Sequence, residues 1–215
     1  VLAHFTRALE LDPEYDDAHF QLGVCYEADG RHREALESFA AKVDAEPSYI
    51  GAHLHVGRLY EAIGDYDEAV SAYERVMGMD PKNREAIFRL GRIHTQVTGD
   101  AKRAAALYQR LVDDESSANL SRAERLELAT GRASALRLAG KADAACEAAD
   151  EALAEDDAAV IAHFEKGMCE HARGGIDEAS RAFNQAISLA TDQPEEVLAR
   201  LEFFRGVAYF DAEQY

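Results

Sequence analysis

The sequence predicts an all-α fold of stacked antiparallel helix pairs, and three observations carry that expectation. Pro13, Pro47 and Pro81 stand 34 residues apart. Gly23, Gly57 and Gly91 keep the same interval, as do Gly30 with Gly64, Tyr26 with Tyr60, and Ala35 with Ala69. One period shared in one phase by several residue types is the mark of a repeat architecture. Ala is abundant, Trp is absent and β-branched runs are rare, a mix that favours helix throughout.

The whole chain, 1–215, reads as one array. Residues 1–15 are expected as the second helix of a partial repeat, with Phe5, Ala8 and Pro13 in phase. With Asp16 as position 1, complete repeats follow at 16–49, 50–83, 84–120, 121–158 and 159–194. Residues 195–215 read as the first helix of a further partial repeat, with Gly206 and Tyr209 in phase. Within a repeat, a first helix turns at a Gly such as Gly30 or Gly64, which supplies a cheap helix end. The second helix stops before Pro47 or Pro81, because Pro lacks the N–H and crowds the preceding turn. The joint at 116–121 is longer, and Ser121 followed by Glu124 reads as a capping box opening the next helix. Neither end carries the polar capping helix with which a solenoid closes. The array is therefore expected to continue in both directions or to be capped by further segments.

The residues in phase resemble the tetratricopeptide repeat family. The second unit carries Val56-Gly57, Tyr60, Gly64, Tyr66, Ala69, Tyr73 and Pro81 where that family has its signature residues. The first carries Leu22-Gly23, Tyr26, Gly30, Ala35, Phe39 and Pro47, and the third Leu90-Gly91, Ala104 and Tyr108, with Gly99 displaced by one insertion. The fourth is degenerate, keeping Gly140 and Ala145 but placing Ala133 at the small position; the fifth keeps Gly167, Gly174, Ala179, Phe183 and Ala186. The resemblance implies a right-handed superhelical solenoid whose first helices line a concave groove for peptides or partner helices. It implies no cofactor and no catalytic activity.

The charge narrows the partner class. With 41 acidic against 23 basic residues the formal charge is −18. Such a field repels phosphate backbones and anionic membranes, so nucleic acid is not an expected partner. No stretch approaches the length of a membrane span. Cys25, Cys146 and Cys169 are widely spaced and form no CxxC pair, so neither a disulfide framework nor a zinc site is expected. All three read as small core residues. A reducing, cytoplasmic compartment is the expectation, with the periplasm as the alternative.

Three tempting features resolve into packing. His19, His53 and His163 share position 4, but positions one repeat apart are about 10 Å apart by helix-packing distances, too far to share one ion. The doublets Asp16-Asp17, Asp113-Asp114 and Asp156-Asp157 are expected in solvated turns between repeats. No phosphate-cradling Gly loop, nucleophile elbow or HExxH occurs, so no catalytic or metal-binding residue is assigned.

Positions 4, 7, 8 and 11 lie on one stripe of the first helix, so positions 2, 6, 9 and 13 lie on the opposite side. The expected partner-binding residues on and beside that second face are Phe20, Gln21 and Val24 in the first unit, and Leu54, His55 and Arg58 in the second. Phe88, Arg89 and Arg92 follow in the third, and Phe164 and Met168 in the fifth. His55, Arg58, Arg89 and Arg92 make a basic cluster in an acidic protein, suited to a carboxylate. The Phe and Leu residues make an apolar row. The competing reading pairs the arginines with Glu61 and Glu85 and packs the phenylalanines between helices. Function is thus read as a non-catalytic scaffold for a protein or peptide partner bearing an acidic group. The alternatives are a docking or regulatory arm of a larger enzyme, and self-association through open ends.

Overall fold

The computed structural model describes residues 2–12, 15–114 and 118–212. Pro13, Ser116, Ser117 and Tyr215, used in the repeat reading, lie outside the described residues. Among the described residues there are twelve α-helices and no strand. The chain forms two compact units, Val1–Ile93 and His94–Tyr215. The first holds α1 (Leu2–Leu11), α2 (Asp16–Ala28), α3 (His32–Ala45), α4 (Ile50–Ile63), α5 (Tyr66–Met79) and residues 84–93 of α6 (Arg84–Gln96). The second holds the end of α6, then α7 (Ala101–Val112), α8 (Arg122–Leu138), α9 (Ala142–Glu155), α10 (Val160–Ala172), α11 (Ile176–Leu189) and α12 (Glu195–Ala212). Neighbouring helices pack as consecutive pairs, α2 on α3 and α4 on α5 in the first unit, α8 on α9 and α10 on α11 in the second.

The pairs turn where the sequence places glycine. At Gly64 the backbone is left-handed, with φ 86°, a conformation that costs a residue with Cβ. The turn lets the N–H groups of Gly64 and Asp65 donate to the carbonyls of Glu61 and Tyr60. Gly99, one residue out of register, still serves as a turn with φ 72°. Ser121 caps α8 as expected: its hydroxyl accepts from the Glu124 N–H, and the Glu124 carboxylate accepts from the Ser121 N–H at 2.8 Å.

Each well-formed pair is closed by a ring lying on a glycine. A Cβ built on Gly23 would sit 2.7 Å from Phe39 Cε1, on Gly57 2.5 Å from Tyr73 Cε1, and on Gly167 2.6 Å from Phe183 Cε1. Phe39, Tyr73 and Phe183 are essentially fully buried. The ring of Tyr108 lies against Gly131 of α8, a contact the repeat phase did not single out. The fourth repeat lacks such a ring of its own. Ala133 replaces the glycine and Ala149 the aromatic, and both pack in a cluster of small residues. Losing one buried ring forfeits about 2 kcal/mol of apolar burial.

Two sequence expectations are corrected here. Cys146 and Cys169 are joined in a disulfide, so they are not separate small core residues, and only Cys25 is free. Their physical meeting is non-local. Cys146 on α9 and Cys169 on α10 face one another across a repeat joint with Cα atoms 5.4 Å apart, inside the bridging range. The cysteine argument for a reducing compartment falls with that pairing. The constraint on a chain closed over a separation of 23 residues is worth about 3 kcal/mol. The second correction concerns Asp16-Asp17, which open α2 rather than occupying a turn. The Asp17 carboxylate there favours the positive end of the helix dipole.

Two of the position-4 histidines, His53 and His163, join the backbone of the preceding turn. His53 Nε2 donates to the Pro47 carbonyl at 2.9 Å, and His163 Nε2 to the Asp157 carbonyl at 2.8 Å. A further polar residue in the core escaped the sequence pattern: Lys42, 2% exposed, reaches Asp17 at 3.3 Å and Glu46 at 3.0 Å with its ammonium over the Tyr49 ring.

The ring-on-glycine contact predicts opposite outcomes at two helical glycines. Gly167→Ala should destabilise the chain by about 1–3 kcal/mol, because Phe183 has no room to retreat. At Gly206 a Cβ meets nothing within 4 Å, so Gly206→Ala should be stabilising by about 0.5–1 kcal/mol. Urea unfolding of the two variants checks both signs.

Candidate interaction face

In the first unit, α2, α4 and α6 present one row of alternating charge. Glu27 comes from α2, His55, Arg58 and Glu61 from α4, and Glu85, Arg89 and Arg92 from α6. In α2 and α4 the ring–glycine contacts hold the first helix against its partner, and Glu27 and Glu61, each one turn on from that glycine, stand at the edge of the contact.

The contacts run from helix to helix. Arg58 Nη1 donates to Glu85 Oε1 at 2.9 Å, and its Nε lies 3.6 Å from Glu27 Oε1. Arg89 reaches Glu61 at 3.5 Å and Glu85 at 3.8 Å, and Arg92 pairs with Glu61. His55 Nδ1 sits 2.5 Å from Glu27 Oε2 and 2.7 Å from Arg58 Nη2. One nitrogen cannot donate and accept at once. With its proton it holds Glu27, and without it accepts from Arg58.

Glu61 anchors the row. Its side chain is only 9% exposed, and it accepts from the Tyr73 hydroxyl at 2.6 Å as well as from the two arginines. Burial first, and then the neighbouring Glu61 carboxylate, push the Tyr73 phenol far above its ordinary value, so it stays a neutral donor. The same Tyr73 carries the ring that lies on Gly57. One residue therefore serves both the core and the row.

Three carboxylates and three guanidiniums balance here, in a protein of formal charge −18. The arginines thus pair internally with Glu61 and Glu85, and also with Glu27, which the sequence reading did not name. They keep unused capacity. Arg92 is 47% exposed, and among the described residues it reaches one carboxylate with a single Nη.

The apolar members divide. Phe20 is half-buried, edge-on to Phe39, Tyr49 and His55 at 5.1–5.5 Å. Val24, Leu54 and Phe88 are half-buried, and Gln21 is exposed. In the second unit Phe164 is 3% exposed, packed on Phe183 and Phe204 under the Arg200 guanidinium, with Met168 against the same cluster. Phe164 is core of its own unit, and Met168 is partly buried against it. What hid this from the sequence is α12, whose Leu201 and Phe204 cover the side of α10 that a bare repeat would expose.

Helix pairs closed by a ring on a glycine, with one charged side facing outward, define a helical-repeat protein. The family comparison gives its particular kind. A tetratricopeptide repeat model matches residues 57–119 and 130–194, more than half of the chain, and a second matches 4–37. The chain belongs to the tetratricopeptide repeat family, whose fold points to a scaffold for protein–protein interaction. No curated protein matches the sequence. Among solved structures it is similar to YrrB, a TPR protein with an unusual peptide-binding site, at 17% identity and TM-score 0.76, covering 94% of this chain and 99% of that one. It is similar to MamA at 19% identity and TM-score 0.69, covering 83% and 93%. It is also similar to yeast Tom70 at 18% identity and TM-score 0.64, covering 99% of this chain but 43% of that one. At these identities the likeness is one of fold. No helix among the described residues is long and apolar enough to cross a membrane.

The Tyr73 environment has a pH consequence. Its pKa is raised on folding, so its contribution to stability is complete below the unfolded value of about 10 and is lost as pH rises above it. The phenolate absorbance of the folded chain, compared with Tyr73→Phe, should show no Tyr73 ionisation at about pH 10–11. A phenolate signal that this variant removes in that range would contradict the buried donor.

Proposed function

We propose that this chain is a non-catalytic scaffold that binds an extended or helical peptide across the first-helix face of α2, α4 and α6. An acidic group of the partner is held by Arg89 and Arg92. What supports the reading is the reach of those arginines. The Arg89 contacts to Glu61 and Glu85 are long and Arg92 is half-exposed, so an incoming carboxylate gains charge-assisted hydrogen bonds from their remaining N–H groups while Glu61 keeps its Tyr73 donor. Arg58 and His55 sit one helix back and set the register, while Leu54 and Phe88 supply apolar contact for a peptide side chain. The repeats 16–49, 50–83 and the start of 84–120 each contribute one first helix to this face. The cytoplasm or the periplasm would suit such a scaffold, and the disulfide favours the second.

Self-association is a second reading, supported by the exposed Phe203 and Phe210 of α12, at 64% and 62% exposure. Light scattering over a concentration series decides it, and a mass fixed at that of the monomer would rule it out.

The test of the main reading starts from peptides selected on the immobilised chain and measures the best of them by calorimetry. Arg89→Glu and Arg92→Glu should each weaken binding by about 1–3 kcal/mol while circular dichroism stays unchanged. Affinities equal to wild type for both variants would place the site elsewhere.

A further inference from the structure

The disulfide falls at the one repeat without a ring of its own. In the second unit α10 and α11 are closed by Phe183 on Gly167. On its α8 side the helix α9 has no such ring, Ala149 standing there against Ala133. Its inward residues are Ala145, Ala148, Ala149 and Ala152, all at 0% exposure, which bury little area each. Polar contacts between α9 and α10 do not make up the difference. Lys166 reaches Asp150 at 2.7 Å and Arg173 reaches Asp143 at 3.9 Å, but Asp150 and Asp143 are 60% and 90% exposed, and pairs of that kind contribute little. Cys146 and Cys169 sit in the middle of this joint, 2% and 0% exposed, and bond α9 to α10.

We propose that the Cys146–Cys169 bond is a redox-conditional clamp: oxidised, it holds the ringless fourth repeat to the fifth; reduced, the α9–α10 joint opens readily. The chemistry is thiol–disulfide exchange with a dithiol. Its thiolate attacks one sulfur to give a mixed disulfide, and its second thiol then releases the chain. Cys146 and Cys169 gain two electrons and two protons, and the reagent leaves as a disulfide. Closure is the reverse, with a disulfide as oxidant. Because both sulfurs are buried, reduction must wait for the joint to open locally, so the clamp is slow to release in the folded chain. Persistence of the closed form calls for an oxidising compartment. The first unit is the internal control, since its pairs are closed by Phe39 and Tyr73, and Cys25 is its sole cysteine.

The experiment is hydrogen exchange on the full chain, oxidised and after reduction with dithiothreitol, preceded by alkylation of the oxidised protein in denaturant. Mass spectrometry should find one alkylated cysteine, Cys25, in the oxidised protein and three after reduction. Reduction should speed exchange in α9 and α10 by roughly a hundredfold, with α2–α5 unchanged. Cys146→Ala with Cys169→Ala should give the fast pattern with or without reductant. The oxidised and reduced wild type already decide the question if that variant folds poorly. Three alkylated cysteines in the chain purified under oxidising conditions, or α9–α10 exchange indifferent to reduction, would overturn the clamp.

Discussion

An aromatic ring set on a bare glycine is the contact from which the rest of the structure follows. A first helix with Gly at position 8 lets the second helix approach until a ring touches backbone, and no other residue leaves that gap. The approach decides which stripe of the first helix is buried, and so which stripe is left outside. In the second repeat Tyr73 makes the link explicit, with its ring on Gly57 and its hydroxyl on Glu61. Packing and the polar row therefore share an atom-level joint. Disturbing the ring shifts the carboxylate to which Arg89 and Arg92 are tied.

On the proposed reading, the outward row is a set of charges held in place by its internal pairs and ready for a partner. Pairs of this exposure are worth only tenths of a kcal/mol to about 1 kcal/mol each, because water screens them and long side chains lose entropy in making them. They add little to stability, yet they orient the guanidiniums. On the proposed reading the overall negative charge works in the same direction: it discourages anionic surfaces in general, so an acidic partner would have to be recognised locally, by fork geometry at Arg89 and Arg92.

Much of the fold was legible in the sequence because its signals are local and periodic. Prolines and glycines at 34-residue spacing mark the helix ends, and Ser121 with Glu124 announces a cap that the structure contains. The Cys146–Cys169 bond was hidden for the opposite reason. It joins helices of different repeats and has no short motif, and its partners look like small core residues when each is read within its own repeat. Lys42 was hidden because a periodic reading assigns its position to an apolar residue, and carboxylates such as Asp17 and Glu46 make a buried ammonium tolerable. At the candidate site the arginines with Glu61 and Glu85 were readable from helix position, whereas the reach of Glu27 from α2 was not. The burial of Phe164 was not, since it depends on Leu201 and Phe204 of α12.

The ring–glycine contact can be isolated in the second repeat by a double-mutant cycle between Gly57→Ala and Tyr73→Leu, followed by urea unfolding. If the ring fills the space that a Cβ would need, Gly57→Ala should cost about 1–3 kcal/mol in the wild type and nothing, or a slight gain, once Tyr73 is Leu. An equal cost in both backgrounds would show that the glycine is required for some other reason, and the link between packing and the outward row would fail with it.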